Sequence, residues 1–250
     1  MVLDLNFFML AIPAVLFAGI SKGGFGSGAA FAASPFLALI VEPKFAVGLM
    51  LPLLMLMDIT NLKPYWRKWD WRNARGLMLG GLPGILFGTA VFKVMNPDIL
   101  RLLIGVVAIG FVVFQLSRAR GWISSKARPF KLWQCLSWGA LAGFTSFVSH
   151  AGGPPAAIQL LGQRLSKLTY QATTVIVFSW MNLVKFVPYF FLGMFTRETL
   201  LANLYLAPVA IIGTLLGVFA HSIISERVFF TLTYIFLTVT GAKLIIDALF

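Results

Sequence analysis

The 250-residue chain has a single cysteine, Cys135, and only two histidines, His150 and His221. One cysteine excludes an intrachain disulfide, and this Cys/His count argues against a zinc site built from Cys and His. Cys135 lies in an apolar run and reads as a small buried hydrophobe. Charge is also scarce. Asp, Glu, Lys and Arg make up 11% of the residues, where about 25% is usual for a soluble domain. Acidic residues number eight against twenty Lys and Arg, giving a formal net charge of +12. In contrast, 59% of the chain is apolar before its 23 glycines are added. A soluble globule of this size could not cover so much apolar surface. These numbers exclude a soluble enzyme, a disordered chain and a disulfide scaffold, and point to a polytopic membrane protein.

The N-terminal stretch carries Asp4 and no early Lys or Arg, so it lacks the basic start of a secretory signal. It reads as a membrane segment that is retained. Apolar segments follow at about 5–21, 27–41, 45–63, 74–93, 98–117, 132–148, 153–162, 168–191, 200–221 and 227–249. Several approach the roughly 20 residues a helix needs to cross a bilayer. The second and seventh are short, and each follows a glycine-rich break: Gly23-Gly24-Phe25-Gly26-Ser27-Gly28, and His150-Ala151-Gly152-Gly153-Pro154-Pro155.

The two halves resemble each other. At an offset of 124, Gly19 falls on Gly143, Gly28 on Gly152, Asp58 on Asn182, Pro64 on Pro188 and Tyr65 on Tyr189. After one residue of slippage, Pro83 meets Pro208, Gly88 meets Gly213 and Thr89 meets Thr214. The expected fold is therefore all-α: a first transmembrane repeat over 1–125 and a second over 126–250, forming one membrane domain. Each repeat holds about five helical segments, including a broken or short helix. Five is odd, so the second repeat enters from the opposite side. Inverted repeats with broken helices are common in secondary transporters.

Basic residues orient the chain. Lys63, Arg67, Lys68, Arg72 and Arg75 fill one loop; Arg118, Arg120, Lys126, Arg128 and Lys131 fill another. Both loops are expected on the cytoplasmic side, with Arg164, Lys167 and Arg227. Lys44, Lys93, Arg101, Arg197 and Lys243 fall opposite. Both termini are then periplasmic, in a cell (inner) membrane. Trp66, Trp69, Trp71, Trp122 and Trp133 beside the basic loops read as a headgroup belt, so the positive charge does not signal nucleic acid.

Each break is expected to open a short helix whose first N–H groups lack intrahelical partners and favour an anion. Candidate substrate-binding residues are Lys22, Gly26, Ser27 and Gly28 in the first half, and Ser149, His150, Gly152, Gly153, Asn182 and Lys185 in the second. The alternative for the glycines is close helix packing. For Lys22 it is snorkelling to headgroups. Asp58, Asn61 and His150 are candidates for ion coupling or a structural ion pair, with Asp58–Lys185 one option for that pair. The Lys22-Gly23-Gly24-Phe25-Gly26-Ser27-Gly28 stretch lacks the Gly-Lys-Ser/Thr ending of a phosphate-binding loop.

Gly19-Ile20-Ser21-Lys22-Gly23-Gly24-Phe25-Gly26, Pro52 and Asp58 in the first half, with Ser149-His150-Ala151-Gly152-Gly153-Pro154-Pro155, Asn182, Lys185, Pro188 and Tyr189 in the second, resemble the TauE/SafE family of anion transporters. The resemblance implies an inner-membrane transporter for sulfur-containing anions such as sulfite and sulfonates. The expected function is a secondary transporter moving a small sulfur oxyanion by alternating access. A passive anion channel is the alternative, and an intramembrane enzyme using Ser149 and His150 a weaker one. No cofactor or metal is expected. The expected partners are a small anionic substrate, the lipid bilayer and, as an option, a second copy in a homo-oligomer, with no nucleic acid.

Overall fold

The computed structural model describes residues 3–25, 30–122, 129–220 and 226–250, and within these the chain is helical without a strand. In the first half the α-helices are α1 (Leu5–Ile20), α2 (Ala33–Leu37), α3 (Pro43–Leu62), α4 (Trp71–Phe92) and α5 (Pro97–Ala119). In the second they are α6 (Leu132–Ser149), α7 (Gly153–Leu161), α8 (Lys167–Phe191), α9 (Arg197–Ala220) and α10 (Glu226–Leu249). A π-helical turn, Ser21–Phe25, extends α1.

Local chemistry sets the helix starts. Asp4, Asp70, Asn96 and Ser166 each accept a backbone N–H from the first turn of α1, α4, α5 and α8. Pro43, Pro97 and Pro154 sit at helix starts, where a missing N–H costs little. The second segment is shorter than expected from the 27–41 apolar run. Helix α2 covers only Ala33–Leu37, with Pro35 in its first turn, where a missing N–H costs little, and turns follow from Ala38 to Ile40.

Seven described helical stretches are long and apolar enough to cross a membrane: Leu5–Gly24, Pro43–Leu62, Trp71–Phe92, Pro97–Ala119, Lys167–Phe191, Arg197–Phe219 and Phe230–Leu249. The nine residues of α7 rise only about 14 Å, roughly half a bilayer core.

Helices of the two halves pack against each other in matched pairs. Helix α4 packs on α6 as α9 packs on α1; α3 packs on α9 as α8 packs on α4; α3 meets α8, and α5 meets α10. Glycine permits the closest crossings. A Cβ on Gly84 would stand 2.0 Å from the carbonyl oxygen of Ala140, and one on Gly23 would stand 2.2 Å from that of Thr214. Only glycine fits such approaches.

Polarity runs inside out relative to a soluble protein. Leu79, Leu86, Phe87, Phe191, Leu204 and Phe219 are exposed, while Lys22, Asp58, Asn61, His150, Asn182 and Lys185 are buried. Lipid is a suitable solvent for that apolar outside, and polar groups at such depth must face one another.

Candidate functional site

Lys22 sits within the π turn and is 2% exposed. Its ammonium is 2.8 Å from Asp58 Oδ1 and donates to the Leu54 carbonyl at 3.0 Å. Asn182 Nδ2 donates to Asp58 Oδ2 at 2.7 Å. Asp58 therefore pairs with Lys22 rather than with Lys185, the partner held open in the sequence. The Lys22 carbonyl, within the π turn, accepts from Asn61 Nδ2 at 3.2 Å and Gln171 Nε2 at 3.1 Å. Lys22 is buried at the centre of the helices, so the snorkelling alternative does not apply.

Lys185 is fully buried on α8. Its ammonium contacts the Ser146 carbonyl at 3.0 Å, Ser146 Oγ at 2.9 Å and His150 Nδ1 at 3.0 Å. His150 ends α6 in a left-handed conformation, φ 59°. Its Nε2 lies 2.9 Å from the Val47 carbonyl. A carbonyl only accepts, so Nε2 carries the proton, and Nδ1 is free to accept from Lys185.

Offset partners make matching bonds. Asn61 to the Lys22 carbonyl corresponds to Lys185 to the Ser146 carbonyl, and both span 39 residues. Tyr65 to the Gly23 carbonyl corresponds to Tyr189 to the Phe147 carbonyl, and both span 42. Asp58 and Asn182, themselves partners at 124, bond directly to each other. Burial pushes the hydroxyl of Tyr65, just past the end of α3, above its ordinary pKa, which keeps it a neutral donor.

Lys22, Ser146, His150 and Asn182 line one small cavity with Ala30, Phe31, Leu54 and Phe178. Its volume is about 20 Å³, room for one water-sized group. Two of the lining pairs, Lys22 with Ser146 and Leu54 with Phe178, are again partners at the 124 offset.

Three of the expected groups, Lys22, His150 and Asn182, meet at this cavity, and Lys185 stands behind it through His150 and Ser146. Ser149 does not join them: its hydroxyl bonds the Thr145 carbonyl of its own helix at 3.2 Å. Since both His150 nitrogens are engaged elsewhere, Ser149 and His150 form no nucleophile–base pair. A Cβ on Gly152 would stand 2.7 Å from the Phe178 ring, so this glycine serves close packing. Gly153 opens α7 as expected, with Gly152 as its N-cap. Gly26, Ser27, Gly28 and His221 lie outside the described residues. Ser146 and Gln171 were not singled out from the sequence. Ser146 carried a usable signal, because it is the partner of Lys22 at the repeat offset.

A bundle of membrane-length helices around a closed, charged centre defines a multi-pass membrane protein with a polar site in its core. The chain belongs to the family described as sulfite exporter TauE/SafE, whose model matches residues 11–244. That family is one of membrane transporters for sulfite and related anions. Comparison with curated proteins and with solved structures gives no match.

Proposed function

We propose that the protein is a secondary transporter that carries a small sulfur oxyanion, such as sulfite or a sulfonate, across the cell (inner) membrane by alternating access. The carrying observation is the cavity between the halves, where Lys22, His150, Ser146 and Asn182 converge. An ammonium, an amide and a hydroxyl are the donors an oxyanion needs. The cavity is far too small for such an anion, so this arrangement is an occluded one, and substrate enters when the halves separate. Residues 1–125 and 126–250 act as two inverted repeats within one membrane domain, rocking about the contact between Asp58 and Asn182. Lys22 and Asn182 bind the anion directly. Lys185, positioned by Ser146 and His150, supplies positive charge. The N-terminus of α7 adds a partial positive charge on the second-half side.

The test is flux into proteoliposomes holding the purified protein, measured for sulfite, thiosulfate, sulfonates and carboxylates. A carrier gives saturable flux and counterflow of at least one sulfur oxyanion. Flux that neither saturates nor shows counterflow identifies a channel, and absence of flux for the whole panel rejects the reading.

A further inference from the structure

A second cavity lies apart from the polar centre, between α1, α2 and α10. Its volume is about 200 Å³. Pro13, Ala14 and Phe17 of α1 form one wall, Ala32, Ala33 and Phe36 the floor, and Phe236 of α10 the other wall. None of these side chains carries a polar atom. The Phe36 and Phe236 rings meet at a centroid distance of 5.3 Å. Phe236 is half exposed, and Ile12 on α1 and Ile235 and Val239 on α10 are exposed too, so the cavity is continuous with the apolar outside of both helices. Pro13 stands midway along the membrane-length stretch Leu5–Gly24, which puts the cavity at hydrocarbon depth.

The repeat shows what this space lacks. At the offset of 124, Ala32 and Ala33 fall on Ala156 and Ala157, and Ala14 falls on Trp138. After the one-residue slippage, Phe236 falls on Phe111. The counterparts of α10 and α1 are α5 and α6, and these pack on each other, with Trp138 set against the core. Alanine in place of that indole leaves α1 short of a large apolar group on this side. Water does not supply it, because a water molecule needs two to four polar partners and the lining has none. An empty space forfeits the dispersion contacts of its walls. An apolar cavity of ~150 Å³ is already enough to take up benzene.

We propose that the cavity between α1, α2 and α10 seats one acyl chain of a bilayer phospholipid, which fills in the first half the place that Trp138 holds in the second. The tail is the recognised part, since no polar or charged side chain lines the cavity to hold a headgroup. The seat adjoins the polar centre. Ala30 and Phe31 line the polar cavity, and the next two residues line this one. The bound chain therefore backs the segment that walls the polar cavity.

The experiment reconstitutes the full chain into vesicles of phosphatidylethanolamine and phosphatidylglycerol holding a trace of phosphatidylglycerol with a diazirine midway along one acyl chain. Lipid adducts are mapped by mass spectrometry after illumination. The lining residues of α1 and α2 are expected to carry at least threefold more adduct than the counterpart surface around Trp138 and Leu141, where Leu141 is also exposed. Ala14→Trp copies the second half and should cut the α1 and α2 adducts at least threefold while leaving those at Leu141 unchanged. Equal yields on the two surfaces overturn the proposal, as do unchanged α1 and α2 adducts in folded Ala14→Trp. A second copy of the chain seated there would shield the lining and push its yield below that at Leu141, which also overturns it. If Ala14→Trp does not fold, the wild-type comparison of the two surfaces decides alone. Each outcome is read without any transported anion, so it stands apart from the transport reading.

Discussion

The two buried lysines differ in what surrounds them, and the difference predicts how each fails. Lys22 holds Asp58 in a buried ion pair. Removing one partner of such a pair leaves an uncompensated charge, at a cost of about 3–5 kcal/mol. Asp58→Ala should therefore lower thermal stability in detergent sharply. Lys22→Met/Asp58→Leu should recover most of that stability, because both charges go together, and should still show no anion flux. Lys185→Gln retains donors towards Ser146 but loses the charge; the folded protein is expected to keep its melting temperature within a few degrees and to lose flux. The tyrosines are simpler. Tyr65→Phe and Tyr189→Phe each delete one hydrogen bond to a carbonyl at matching places. Each should cost about 1 kcal/mol plus the penalty of leaving that carbonyl without its donor, readable as a matched drop in stability.

At the scale of elements, the crossings of α4 on α6 and of α1 on α9 depend on backbone-to-backbone approach. Gly84→Ala would drive a Cβ into the Ala140 carbonyl, and Gly23→Ala would drive one into that of Thr214. Neither obstacle is a side chain that could swing away, so both variants should destabilise the fold by about 1–3 kcal/mol or more, as overpacked cores do. Gly110 on α5 is the internal control. Nothing lies within 4 Å of its added Cβ, so Gly110→Ala should be neutral or stabilise by up to about 1 kcal/mol. Thermal unfolding of the three variants side by side tests this. Helix ends were largely legible in the sequence because apolar runs and caps are local: the segments expected from about 74, 98 and 168 begin at Trp71, Pro97 and Lys167, where Asp70, Asn96 and Ser166 cap the first turns. The π turn at Ser21–Phe25 was not legible, since the partners of its Lys22 carbonyl, the Asn61 and Gln171 amides, come from α3 and α8, far away in sequence.

For the whole molecule, the basic loops set the expected orientation. Reporter tags on both termini should appear on the periplasmic face; a cytoplasmic signal from one alone would break the proposed inverted arrangement, and from both would reverse the proposed orientation. The loop aromatics suit a headgroup layer: Trp66, Trp71, Trp122 and Trp133 are exposed, and Arg75 and Arg120 lie over the rings of Trp71 and Trp122. The matched bonds spanning 39 and 42 residues give the two halves a common internal frame. Asp58 and Asn182, partners at the offset, bond directly to each other, and His150 and Gln171 add bonds between the halves to the carbonyls of Val47 and Lys22.

Composition and the 124-residue offset by themselves determined the class of protein, the ten helical segments and the small set of polar residues worth watching. These are properties of local pattern: an apolar run of about twenty residues has few places to go except a bilayer, and a repeat is visible wherever glycine and proline recur at one spacing. Only the tertiary structure decided which charge meets which. Lys22 and Lys185 look interchangeable along the chain. Folding places a carboxylate beside the first and neutral acceptors around the second, through helices more than thirty residues apart in sequence. Pairing of this kind follows from helix crossing geometry rather than from spacing, and it turned two lysines at membrane depth into one paired with a carboxylate and one held by neutral groups.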